Sequence, residues 1–148
     1  MKHLLMITLL STTLLLGACG GDAGPTPEQR ATRAAEMMQK AQAEPNFPKT
    51  PEAAITAFWQ AASRKDYDRM QLLAPGSDKS DYAKYYDMFT PQPAKSVGKP
   101  EPHPANPKVQ LYPAHVPFPG FPQKVVKMAV WKDEKGNYYI DGQNTIWW

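Results

Sequence analysis

A single cysteine, Cys19, stands in a chain of 148 residues. An intramolecular disulfide is therefore excluded, and any folded domain must be held by packing. Like charges do not gather into blocks: 17 basic and 14 acidic residues leave a formal charge of only +3, spread along the chain. This removes the support for nucleic acid or a strongly anionic surface as a partner. No pair of histidines stands at i, i+4, and no glycine-rich phosphate loop occurs, so neither a metal site nor a nucleotide or other cofactor is expected. The one long apolar stretch, Leu4 to Leu16, covers 13 residues. At 1.5 Å per residue this makes about 20 Å of helix against roughly 30 Å of hydrocarbon, too short to span a bilayer.

That stretch ends in Leu14-Leu15-Leu16-Gly17-Ala18-Cys19, behind a short positive start at Lys2. Leu16 three residues before the cysteine, with small Gly17 and Ala18 between, resembles the lipobox of bacterial lipoproteins. The resemblance covers Met1 to about Asp22. It implies a signal peptide over residues 1–18, removed before Cys19, and a lipid-modified Cys19 carrying diacylglyceryl and palmitate-type chains. One acyl chain holds a protein only marginally, whereas two or more make release slow. Gly20, where retained lipoproteins typically carry aspartate, implies the outer membrane as destination, with the domain facing the periplasm. The membrane, reached through the acyl chains, is the first expected partner.

Cleavage before Cys19 would leave 130 residues with a charge of +2, enough for one domain with a real core. Gly20 to Pro25 has almost nothing to bury and reads as a flexible tether. Thr26-Pro27-Glu28-Gln29 carries a capping box with proline at the first helical position, and a helix should follow to about Ala43, ended by Pro45. Its stripe of Ala31, Ala34, Ala35, Met38 and Ala41 offers little area. It is expected as a lightly docked spacer helix, placing the tether and spacer at 19–46 and the domain at 47–148, with the chain up to roughly Pro48 dispensable for folding.

Thr50-Pro51-Glu52 repeats the helix start, and here Ile55, Phe58, Trp59 and Ala62 form a bulky face at i, i+3, i+4 and i+7. This helix belongs to a core. Tyr67, Met70 and Leu73 predict a shorter helix stopped by Pro75-Gly76, and Tyr82, Tyr85, Tyr86 and Phe89 predict a third with an aromatic face. From Pro91 to Pro122 prolines are dense enough that only short or edge strands are expected, at Ser96–Lys99 and Lys108–Tyr112, with Pro100 to Pro104 as a polyproline-like rim. Lys124–Lys132 and Asn137–Asp141 read as a hairpin around Asp133-Glu134-Lys135-Gly136, and Thr145 to Trp148 adds a final strand segment.

Two of these stretches resemble the nuclear transport factor 2-like domains, small cone-shaped α+β units. One runs from Thr50-Pro51-Glu52-Ala53-Ala54-Ile55 through Phe58, Ala61, Asp66-Tyr67, Met70 and Leu73. The other is Gly136-Asn137-Tyr138-Tyr139-Ile140-Asp141-Gly142, with Tyr138 where that family usually has tryptophan. Together they cover roughly a third of the chain, and the proline-rich middle departs from the pattern. The resemblance implies an α+β domain in which N-terminal helices pack on a curved, mostly antiparallel sheet and leave a pocket at the open end. Trp59, Tyr67, Tyr85, Trp131 and Tyr139 are the expected pocket lining.

Chemistry for that pocket is scarce. His103 and His115 lie in the proline-rich stretch without carboxylates at ligand spacing and read as surface residues. Asp66, Asp68, Asp81 and Asp87 are accounted for as helix caps or solvated faces. Asp66 could act as a base only if buried. No catalytic spacing is present, so the reading is a non-enzymatic binding module of the cell envelope, with an envelope protein or a small ligand as occupant of the aromatic mouth. A small pocket enzyme assembled from distant positions is the alternative.

Overall fold

The computed structural model describes residues 24–147. The expected signal peptide, the lipobox-like stretch with Cys19, and Trp148 lie outside them. Four helices come first: α1 (Pro27–Ala43), α2 (Pro51–Ser63), α3 (Tyr67–Leu73) and α4 (Lys79–Tyr86). Five strands follow: β1 (Ser96–Val97), β2 (Glu101–His103), β3 (Asn106–His115), β4 (Val125–Lys132) and β5 (Tyr138–Ile146). They form one curled antiparallel sheet in the order β1-β3-β4-β5, with β2 also paired to β3. The protein is α+β, helices before sheet, as its hydrophobic periodicities imply.

The start of α1 is held as its sequence dictates. The Gln29 amide donates to the Thr26 hydroxyl at 3.2 Å, and the Thr26 amide donates to the Gln29 side chain at 2.9 Å. Only Ala41 is fully buried along the helix, in keeping with an alanine-methionine stripe. Yet α1 does not stand off as a spacer. Arg33 pairs with Asp78, Gln42 donates to Asp133, and Glu44 just beyond the helix pairs with Arg69, so the helix lies along the domain. Phe47 is one of the largest fully buried side chains, its ring 5.0 Å from that of Tyr139. A truncation through Pro48 would therefore remove a core ring, which the weak periodicity around Asn46 did not announce.

The face of α2 packs as its spacing requires: Ile55, Phe58, Trp59 and Ala62 are all fully buried. A short turn at Lys65, whose φ of 56° lies in the left-handed region, leads into α3, capped by Asp66. In α4 the expected aromatic face divides. Tyr82 and Tyr86 point inward while Tyr85 and Phe89 are exposed. An eight-residue helix ending at Tyr86 has only two turns, so Phe89 lies past its end and the i, i+7 relation to Tyr82 is lost.

The proline-rich middle is the main correction. It carries a ten-residue strand, β3, in the interior of the sheet, flanked by β1 and β2 on one side and β4 on the other. Pro113 is admitted because of a break in its neighbour. Its carbonyl accepts the Gly98 amide at 2.7 Å, and in an antiparallel ladder a residue's nitrogen faces the same side as its carbonyl. The missing donor thus falls opposite the interruption between β1 and β2. Pro107 lies outside the stretch of β3 that pairs with β4. Pro100 to Pro104 is not a polyproline rim, since Glu101–His103 pairs with β3 and the His103 Nδ1 closes the turn by accepting the amides of Ala105 and Asn106.

The β4–β5 hairpin turns at Gly136, whose φ of 81° suits glycine. β5 is longer than expected and runs on to Ile146 through a bulge. Asp141 pairs with Ala129 and Ile146 with Lys127, so five steps along β5 oppose two along β4. The looped-out residues are tied by Thr145, whose hydroxyl donates to the Asp141 carbonyl at 2.7 Å and accepts the Ala129 amide at 3.0 Å.

Since Phe58 and Phe47 are both wholly enclosed, truncating either ring to alanine should cost about 3–5 kcal/mol, a large share of the roughly 5–15 kcal/mol stability of a domain. Thermal melts of a chain covering residues 19–148 should show both Phe58→Ala and Phe47→Ala far below wild type. An unchanged melt for Phe47→Ala would place that residue outside the core.

Candidate functional site

A cleft of about 1470 Å³ opens between α1, α4, the loop after β3 and β5. Its inner surface is aromatic and aliphatic: Tyr82, Tyr86, Phe118, Val126, Ile140 and Trp147. Among its lining residues Tyr85, Met88, Phe89 and Phe121 have 61%, 70%, 52% and 65% of their surfaces exposed, and they are the exposed large apolar side chains of the described residues apart from Val125. Arg30, Ala34 and Met38 of α1 form one wall, and Gly24 and Pro25 line the same cleft.

Each part of this lining has a local cause. Asp78 caps α4, its carboxylate accepting the Ser80 amide at 2.9 Å. That amide and hydroxyl, with Arg33, keep the Asp78 carboxyl below its ordinary range in spite of burial. The cap fixes the start of α4, and the two-turn geometry then sends Tyr82 and Tyr86 inward and Tyr85 outward. Phe118-Pro119-Gly120-Phe121 forms a tight turn with a Phe118–Phe121 bridge and φ of 79° at Gly120, the arrangement that proline followed by glycine favours. It turns Phe118 toward the core and leaves the Phe121 side chain exposed.

Beneath the cleft lies Trp59. Its ring stands nearly perpendicular to Tyr86 at 6.2 Å and Phe118 at 5.8 Å, and tilts steeply to Trp147 at 6.3 Å. Edge-to-face pairs of this kind add about 0.5–1.5 kcal/mol each beyond the area they bury. The Trp59 Nε1 is buried without a hydrogen-bond partner among the described residues. Its surroundings are aromatic faces, which are weak acceptors for an N–H.

Of the five residues expected to line a pocket, Tyr85 and Trp131 do so. Trp59 supports the lining from below. Tyr67 is elsewhere, half-buried, donating its hydroxyl to Asp87 at 2.7 Å; burial and that carboxylate push it up to about 12. Tyr139 is enclosed in a separate cluster, stacked on Trp131 at 4.4 Å and donating to Asp133 at 3.0 Å. Sequence reasoning missed Phe118, Phe121 and Trp147 as lining residues, although Phe-Pro-Gly-Phe is a turn signal with an aromatic on each side.

What the lining offers chemically is apolar contact with a few polar and charged groups, among them the Tyr82 and Tyr86 hydroxyls, Arg30 and Lys124. Burial raises the Tyr82 hydroxyl to about 12 and takes Tyr86 higher still, so both remain protonated at neutral pH. The carboxylates at the cleft already have partners: Asp78 with Arg33, Asp81 with Lys84, and Asp141 with the amides of Gln143 and Asn144. Asp66 is exposed and caps α3. Neither His103 nor His115 lines the cleft. Among the described residues no group of three or more His, Cys, Asp or Glu is placed to hold a metal ion, and no helix is long and apolar enough to cross a membrane. Compared with protein-family models, curated proteins and solved structures, the chain matches none.

The Asp133 cluster yields a pH prediction. Burial works against the charged form, but the Asn137 amide and side chain, Tyr139 and Gln42 all donate to the carboxylate and hold it at about 2. A carboxyl depressed on folding contributes stability above its unfolded value and loses it as pH falls toward the folded one. The wild-type melting temperature should therefore drop between about pH 4 and pH 2 by more than that of Asp133→Asn, the two converging at the acid end. Parallel acid profiles would show that Asp133 is not held in this way.

Proposed function

We propose that this chain is a lipid-anchored binding protein of the cell envelope, non-enzymatic, with a domain of the cone-shaped nuclear transport factor 2-like type. The observation that carries the binding role is the rim of Tyr85, Met88, Phe89 and Phe121 on one cleft. Exposed apolar side chains scattered singly need no explanation, but a contiguous set around a concave, ring-lined surface marks an interaction site. Helices packed ahead of a curled antiparallel sheet are compatible with the cone. The lipobox supports the anchor, with Cys19 acylated and Gly20 directing the protein to the outer membrane. The neutral tyrosines and already paired carboxylates favour binding over acid–base chemistry.

Two measurements test the two halves of this reading. Metabolic labelling with an alkyne fatty acid should mark the wild-type chain and leave Cys19→Ser unmarked, the marked protein sedimenting with outer-membrane markers. Equal label in both would contradict the anchor. Replacing Phe89 and Phe121 together by serine should lower the binding of anilinonaphthalene sulfonate to the folded chain several-fold at an unchanged melting temperature, because these rings are exposed in the folded state. Undiminished dye binding would contradict the cleft as the binding surface.

A further inference from the structure

The position of the cleft relative to the anchor selects its occupant. Gly24 and Pro25 line the same cleft as Tyr85, Phe89 and Phe121. Cys19 is five residues before Gly24, and five residues span at most about 18 Å. From there α1 runs along the cleft, lining it with Arg30, Ala34 and Met38, and extends over 17 residues, about 25 Å at 1.5 Å per residue. At its far end Gln42 meets Asp133 on the β4–β5 turn. An acylated Cys19 would hold the Gly24 end of the cleft next to the bilayer and leave the β4–β5 turn distal.

We propose that the rim of Tyr85, Met88, Phe89 and Phe121 rests in the boundary between headgroups and acyl chains of the anchoring bilayer, so that the cleft opens onto lipid. The inference rests on lipidation of Cys19. The side chains suit such a boundary. Aromatic residues settle at the membrane interface because one end is apolar and the other tolerates water, and Tyr85 offers both in one side chain. Phe121 closes the turn made by Pro119 and Gly120, paired with Phe118 and with its own side chain exposed. Charge does not drive the contact. Arg30, Lys84 and Lys124 stand around the cleft together with Asp78, Asp81 and Asp141, so the signs balance and the apolar rim supplies the attraction.

Lipid faces only part of the cleft. Its volume of about 1470 Å³ lies behind the rim, lined by Tyr82, Tyr86, Phe118 and Trp147, and an apolar segment leaving the bilayer would meet rings there before it met water.

Acylation would consume the only thiol, so Phe89→Cys supplies a unique site for an environment-sensitive fluorophore, and Lys135→Cys supplies a control on the distal turn. The lipidated mature chain is reconstituted into phosphatidylcholine vesicles with and without brominated acyl chains, and a fatty-acid label on Cys19 is read on the same samples. The probe at position 89 should be quenched at least twofold by brominated lipid and the probe at 135 unaffected, as expected for a rim seated about 5–10 Å into the interface. Met88→Cys repeats the measurement should Phe89→Cys fail to fold. Labelled, vesicle-bound protein with position 89 unquenched would overturn the seated rim while leaving the anchor intact. A probe at 89 that is shielded in detergent without lipid, at concentrations where the chain cross-links to itself, would assign the rim to a second copy and overturn the inference. A Cys19 that takes no label would overturn the anchor and this inference with it.

Discussion

The indole of Trp59 meets Tyr86 of α4, Phe118 of the loop after β3 and Trp147 beyond β5, three segments far apart in sequence. No disulfide ties them, so their relative positions depend on this shell of rings and on Phe58 beside it, which in turn meets Tyr82 and Trp147. The same atoms that close the core therefore form the underside of the cleft. Core stability and cleft shape are one packing problem, with α2 supplying the centre.

A second assembly closes the opposite end. Asp133 gathers the Asn137 amide and side chain, the Tyr139 hydroxyl and the end of α1 at Gln42, while Lys49 donates to Asn137 and the Tyr138 amide donates to the Pro48 carbonyl. Gln42, with Arg33 paired to Asp78, ties a helix with one buried residue along the domain, while the remaining bonds fix the segment after it. Hydrogen bonds to charged groups contribute about 1.5–3 kcal/mol each, more than an alanine stripe gains by burial. The N-terminal end of the described chain, Gly24 and Pro25, lines the cleft.

The elements with strong periodicity were legible in the sequence. Pro51 to Ser63 announced its buried face through Ile55, Phe58, Trp59 and Ala62, and the capping box at Thr26 and Gln29 formed as the residue types require. The β4–β5 hairpin followed from valine-rich patterning and Gly136. What was hidden depended on partners distant in sequence. β3 looked too proline-rich for an interior strand because the break between β1 and β2, which accommodates Pro113, exists only once the sheet is assembled. Phe47 stands between Asn46 and Pro48 with no periodic companion, and only the Tyr139 ring reveals its role. In the candidate site, Tyr85 and Trp131 were legible as aromatics of amphipathic elements, whereas Phe118, Phe121 and Trp147 come from turns and a chain end, where periodicity carries no signal.

The central claim is that core and cleft share one aromatic layer, and a double-mutant cycle between Trp59→Leu and Phe118→Ala measures it most directly. If the layer is continuous, the melting free energies of the two single variants and the double variant should reveal a coupling of about 1 kcal/mol, the range expected for an edge-to-face pair. Additivity within about 0.3 kcal/mol would mean that the cleft wall at Phe118 is independent of the α2 core, and would contradict the account.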